Sequence, residues 1–213
     1  MKKIYCLLFV LALAGCKKNN MPVENGCISQ VKKINFYLTP ADSTAAARLL
    51  TQNNLPTNDL AIEYIQQDTI TANGVSNVAQ YMFAIQYVNG LPVLSTDFGY
   101  VFKNDVFTGL VGARYTNINL DTRQRQSLRQ VRKLFLDESA KKVDANALNI
   151  LKGACLAAQF GYYDVNVRST VPNHPVNFVM AWSITPKDKQ FPTALIRDDN
   201  GALIVYYGST ATP

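Results

Sequence analysis

The run "VAQYMFAIQYVNGLPVLSTDFGYVFK", residues 78–103, constrains the fold more than any other stretch of the chain. Between Val78 and Val88 the residues alternate, with Tyr81, Phe83, Ile85 and Tyr87 on one face. A period of two belongs to a half-buried strand. Asn89 and Gly90 follow, and both residue types accept a positive φ, so a tight type I′ hairpin turn is predicted there. "LAIEYIQQDTITA" (60–72) alternates in the same way and reaches this run through the turn "ANGVSN". After the Asn-Gly turn, "PVLSTDFGYVFK" and "VFTGLVGARYT" read as a third and a fourth strand, joined at Lys103-Asn104-Asp105. Four consecutive strands with short turns predict an antiparallel meander.

A helix should precede it. Thr39 is a cap residue, Pro40 suits the first helical position, and Asp42 completes a capping pattern. Ala45, Leu49 and Leu50 supply a narrow apolar stripe, and the helix should stop near Asn53-Asn54, ahead of Pro56. The same order then recurs. Ser127 and Gln130 form a second capping pair, and Leu128, Val131, Leu134 and Phe135 form the stripe behind it. "GACLAAQFGYYDVNV" (153–167) is open to helix at its start, but Phe160, Tyr162 and Tyr163 around Gly161 favour a strand. In "NFVMAWSITP", Phe178, Met180, Trp182 and Ile184 share a face, which should bury Trp182 under the second helix. "PTALIRDDNGALIVYYG" predicts a closing hairpin turning at Asp199-Asn200-Gly201. The expected fold class is α+β: two tandem helix-plus-antiparallel-sheet units, residues 27–120 and 121–213, divided within "NINLDT" (117–122).

The amino terminus has a different character. Lys2 and Lys3 precede "IYCLLFVLALAG", an apolar run shorter than the roughly 20 residues of a spanning helix. Residues 1–15 therefore read as a signal peptide. Its end, Leu13-Ala14-Gly15-Cys16, resembles the lipobox of bacterial lipoproteins. That resemblance implies acylation of Cys16, loss of the preceding peptide, and attachment to a membrane through the N-terminal lipid. Lys17 and Lys18 come next, without the acidic residue associated with inner-membrane retention, so the cell envelope, at the outer membrane, is the expected location. Residues 16–26 then serve as a polar tether. Losing Lys2 and Lys3 lowers the formal charge of +6 by two, too weak a basic field to argue for nucleic acid. Of the four cysteines, Cys6 leaves with the leader and Cys16 takes lipid. An oxidising compartment permits a disulfide between Cys27 and Cys155; two separate buried thiols are the preferred alternative, because sequence does not bring the pair together.

Two motifs resemble known families. "YMFAIQYVNGLPVLSTDFGYVF" is similar to the propeptide motif of fungalysin and thermolysin proteases, and "FVMAWSITPKDKQFPTALIRDDNGALIVYYG" looks like a PepSY domain. Together they cover roughly residues 40 to 208. Protease prosegments of this kind assist folding of the attached enzyme and block its active site, yet no His-Glu-x-x-His occurs in this sequence. The chain is equally similar to stand-alone PepSY-like lipoproteins. The resemblance implies a fold and a location, with no activity attached.

Catalytic chemistry finds little support. His174, the only histidine, lies in "VPNHPV" and reads as a solvent-facing loop residue. A zinc site needs three or four ligands, and neither a Cys-His cluster nor a Gly-x-Ser-x-Gly nor a Gly-rich phosphate loop is present. "RDDNG" (197–201) is better explained by turn chemistry than by calcium, whose loops alternate their carboxylates. Asp137, Glu138 and Asp188 read as surface carboxylates. No metal or cofactor is expected. Arg125, Arg129, Arg132 and Lys133, spaced by three and four, should line the outer face of the second helix as a solvated surface or a patch for an acidic partner or anionic lipid headgroups. One member of each pair Tyr162-Tyr163 and Tyr206-Tyr207 should point away from the core. The expected function is a non-catalytic, membrane-anchored binding module that inhibits or chaperones an extracytoplasmic protein such as a protease, without nucleic acid. A structural envelope-maintenance lipoprotein is the alternative and an uncharacterised hydrolase the third reading.

Overall fold

The computed structural model describes residues 26–32, 38–72, 75–95, 98–115, 117–167, 175–187, 189 and 191–208. The expected leader, Cys16, most of the expected tether, the centre of the "ANGVSN" turn, His174 and Asp188 lie outside the described residues. The fold is α+β, mostly strand. Its first helix, α1 (Pro40–Gln52), starts on the predicted capping box, with the Thr39 side chain accepting from the Asp42 amide and the Asp42 side chain answering to the Thr39 backbone. The buried stripe is Ala46, Leu49 and Leu50 rather than one beginning at Ala45. Spacings of three and four keep all three on one face. The helix stops at Asn53, ahead of Pro56, as expected.

Four strands, β2 (Leu60–Ala72), β3 (Val75–Val88), β5 (Phe98–Lys103) and β6 (Val106–Val111), form an antiparallel sheet in that order. Asn89 and Gly90 take φ values of 52° and 76°, the signature of the predicted hairpin. This turn leads into a two-residue strand, β4 (Leu91–Pro92), paired with the end of β3. The expected continuous third strand is thus broken, because residues 93–95 leave the meander. α1 covers one face of the sheet, packing on Met82, Ala84, Phe98, Tyr100 and Phe102. The core side of β3 is therefore the Met82/Ala84 side. The alternating set through Tyr81 and Phe83 lies on the opposite face, where Phe83 stacks on Tyr64 at 4.7 Å.

The second sheet has the order β1-β7-β8-β9-β10, from β1 (Ile28–Gln30), β7 (Leu156–Asp164), β8 (Phe178–Pro186), β9 (Thr193–Arg197) and β10 (Leu203–Tyr207). The predicted capping box at Ser127 and Gln130 starts α2 (Leu128–Ala140). An unexpected helix, α3 (Ala145–Gly153), is capped by Asp144. The core under these helices contains Val131, Phe135, Leu151, Phe160, Ile184 and a fully buried Trp182.

Two features cross the expected boundary between the units. β1 belongs to the second sheet, running parallel to β7 with Ile28 opposite Leu156. Beyond β1, the exposed edge of β7 is taken by Val93 and Leu94: Val93 bridges Tyr162 and the Leu94 amide donates to the Tyr162 carbonyl at 2.7 Å. Val88, Val93, Ile118 and Tyr162 form a core shared between the two halves. Gly161 permits this approach, since a Cβ there would collide with the Pro92 carbonyl oxygen.

Candidate functional site

The four basic residues do not form one face. Arg125 precedes the helix, anchored through its backbone amide, while Arg129 and Lys133 are exposed on α2. Arg132 is buried, and its guanidinium donates to the Lys152 carbonyl at the end of α3 at 2.6 Å. A cation there complements the negative end of a helix dipole. The expected outer face was wrong for Arg132 because α3 packs on that side of α2. The remaining field is partly neutralised. Lys133 pairs with Asp137 at 2.6 Å, Lys141 with Glu138 at 2.6 Å, and Arg123 with Asp121 at 2.8 Å, with Arg125 3.9 Å from the same carboxylate. Hydrogen bonds from the Arg123 side chain hold the Asp121 carboxyl down at about 2.

Asp198 is the residue whose role sequence reasoning missed. Read as turn chemistry, it is instead fully buried. It accepts from the Trp182 indole N–H at 2.8 Å, the Arg125 amide at 2.8 Å and the Gln126 amide at 3.0 Å. It ties the approach to α2, strand β8 and the β9–β10 turn to one point. A buried carboxylate held by three fixed N–H donors is a clamp. Its neighbour Asp199 lies in the expected turn and pairs with Arg197 on the surface. Asp164 plays a similar part, accepting from the Asn166 and Asn177 amides while its own amide donates to Ser95 Oγ. No group of three His, Cys, Asp or Glu able to hold a metal occurs among the described residues.

The expected separate thiols are contradicted. Cys27 and Cys155 are joined by a disulfide across 128 residues. It sits at the start of β1 and of β7, so the parallel pairing that sequence did not reveal also brings the sulfurs together. Tyr162 and Tyr163 are both buried, against the expectation that one would face outward. β7 is central and covered on both faces, so alternation gives it no solvent side. Tyr206, half-buried, bonds through its hydroxyl to Ser139 Oγ at 3.2 Å.

The surface best suited to recognition is β6. It is the edge of the first sheet, and no described strand pairs with its outer side. Val106 is 62% exposed and Leu110 51% exposed. A register shift opposite Val101 and Phe102 puts Phe107 and Leu110 on the α1 side and Val106 and Val111 on the other. The strand is held firmly. Asn53 at the end of α1 donates to the Asp105 carbonyl at 2.9 Å and accepts from the Phe107 amide at 2.9 Å. Arg48 pairs with Asp105 at 2.6 Å, and this contact keeps the Asp105 carboxyl below its usual range. Edge strands are usually blunted by lysine, proline or other charge. β6, "VFTGLV", carries none of these. Chemically it offers a row of backbone donors and acceptors flanked by apolar side chains.

In comparisons with known proteins, no family model matches this chain and no curated protein matches it.

Proposed function

We propose that this protein is a lipid-anchored, non-catalytic binding module of the cell envelope, built from two helix-plus-sheet units of the propeptide/PepSY kind, and that it restrains or chaperones an extracytoplasmic protein. The observation carrying this reading is β6: an ordered, uncharged edge strand with Val106 and Leu110 in solvent. An extended segment of a partner adds to such an edge through main-chain hydrogen bonds, with neighbouring side chains supplying selectivity. The buried carboxylates favour the same view, since Asp164 and Asp198 are used to hold loops in place. The anchor follows from the lipobox at Cys16. Metabolic labelling with a fatty-acid analogue should mark the wild type and leave Cys16→Ser unmarked; equal marking of both removes the anchor. A panel of hydrolase substrates should give no turnover, and turnover abolished by a substitution at His174 or Asp164 would replace binding with catalysis.

A further inference from the structure

α3 leaves part of its apolar face uncovered. Leu151 enters the core, but Ile150 is 58% exposed, at the lip of a half-open cavity of about 480 Å³. The volume falls in the range of small-molecule sites, which run from roughly 300 to 1,000 Å³ and are lined mainly by apolar groups. The cavity's lining includes Ala147, Ile150 and Leu151 of α3, and Phe191 and Pro192 on the approach to β9. Spacings of three and four bring the α3 residues to a single face. The disulfide-bonded Cys155 is also part of the lining.

The charged side chains of the cavity's described lining are cationic. Lys187 and Lys189 belong to its lining, both exposed; no carboxylate among the described residues pairs with either, and Asp188 between them lies outside the described residues. Their backbones are fixed: the Lys187 amide donates to the Cys155 carbonyl at 2.7 Å, and the Lys189 carbonyl accepts from the Thr185 hydroxyl at 3.0 Å. The ammonium groups are thus carried on an anchored rim above an apolar slot. A polyanion such as a nucleotide would gain little from the slot, and a neutral hydrocarbon would gain nothing from the lysines. A cationic amphiphile would be repelled.

We propose that this cavity binds a single-chain anionic amphiphile of the fatty-acid class, its hydrocarbon tail between α3 and Phe191 and its carboxylate at Lys187 and Lys189. This site is separate from β6 and does not depend on the partner-binding reading.

The test is calorimetric titration of dodecanoate, kept below its micellar concentration, into the chain from residue 16 onward carrying Cys16→Ser, which retains every described element. Saturable binding at one site is expected. Ala147→Trp fills the slot and should abolish it. Ile150→Lys, at an exposed position where folding is spared, should do the same by placing a charge at the lip. The double variant Lys187→Gln/Lys189→Gln should weaken dodecanoate about tenfold, the scale of lost charge-assisted contacts, while leaving dodecanol unchanged. Dodecyltrimethylammonium should bind more weakly than dodecanoate. The proposal is overturned by the absence of saturable dodecanoate binding, by binding that survives both Ala147→Trp and Ile150→Lys, or by equal affinity for the cationic amphiphile.

Discussion

Replacing Asp198 with alanine tests the clamp at the centre of the second sheet. Three N–H donors lose their acceptor at once: the Trp182 indole and the amides of Arg125 and Gln126. The indole is fully buried, so leaving it unpaired costs about 1–3 kcal/mol. The two amides are only part-buried and recover some hydration, which puts each near 1 kcal/mol. The sum is about 3–5 kcal/mol, a large share of a typical domain's stability. Asp198→Asn keeps one carbonyl oxygen as an acceptor and should cost less than Asp198→Ala. Urea denaturation followed by far-UV circular dichroism reads these shifts without relying on the single tryptophan. A double-mutant cycle with Trp182→Phe isolates the indole bond. Because Phe offers no donor, Asp198→Ala should be milder in that background, with a coupling of about 1–3 kcal/mol. A loss below about 1 kcal/mol for Asp198→Ala, or equal losses in both backgrounds, would refute the clamp.

Two further outcomes follow from the geometry. The Cys27–Cys155 bridge closes a loop of 128 residues, for which chain entropy sets a stabilisation of about 5 kcal/mol before native-state strain is counted. The Cys27→Ser/Cys155→Ser variant and the reduced wild type should therefore lose about 2–5 kcal/mol in urea titrations; a midpoint that stays put sinks the expectation. Asp105 is held below its ordinary value of 3.8 by Arg48, chiefly through their hydrogen bond. A depressed carboxyl contributes stability above the unfolded-state value and loses it as the pH falls through the folded-state value. Arg48→Gln should thus be slightly less stable than wild type at neutral pH, and the gap should close as the pH falls below 3.8; a gap independent of pH in thermal melts would exclude this pair as its source.

The parts legible in the sequence are those fixed by near neighbours. Thr39 with Asp42 and Ser127 with Gln130 place the starts of α1 and α2, because a cap is a bond across three residues. Asn89-Gly90 places its turn through φ alone. Most of the parts that were not legible depend on distant partners. β1 is three residues long, "ISQ", with no period to read, and its partner is 128 residues away. The position of Arg132 depends on α3, whose cap at Asp144 was overlooked. Tyr162 and Tyr163 follow alternation, but residues 91–95 fold back and take away the solvent side of β7. Asp198 carries the composition of a turn, and only the fold brings Trp182 and the Arg125 amide to it. Candidate binding residues were missed for a related reason. Val106 and Leu110 look like ordinary strand residues until the sheet order makes β6 an edge.

The central claim, recognition of an extended partner segment along β6, is tested most directly by photo-crosslinking in the protein's own cells. A photoreactive residue at Leu110, exposed on that edge, should capture a discrete envelope protein in the wild-type background. The adduct should disappear when Val106→Lys places a charge on the same strand, and a probe at exposed Arg129 on α2 should not capture that protein. Absence of any adduct at Leu110, or an adduct unaffected by Val106→Lys, would contradict the account.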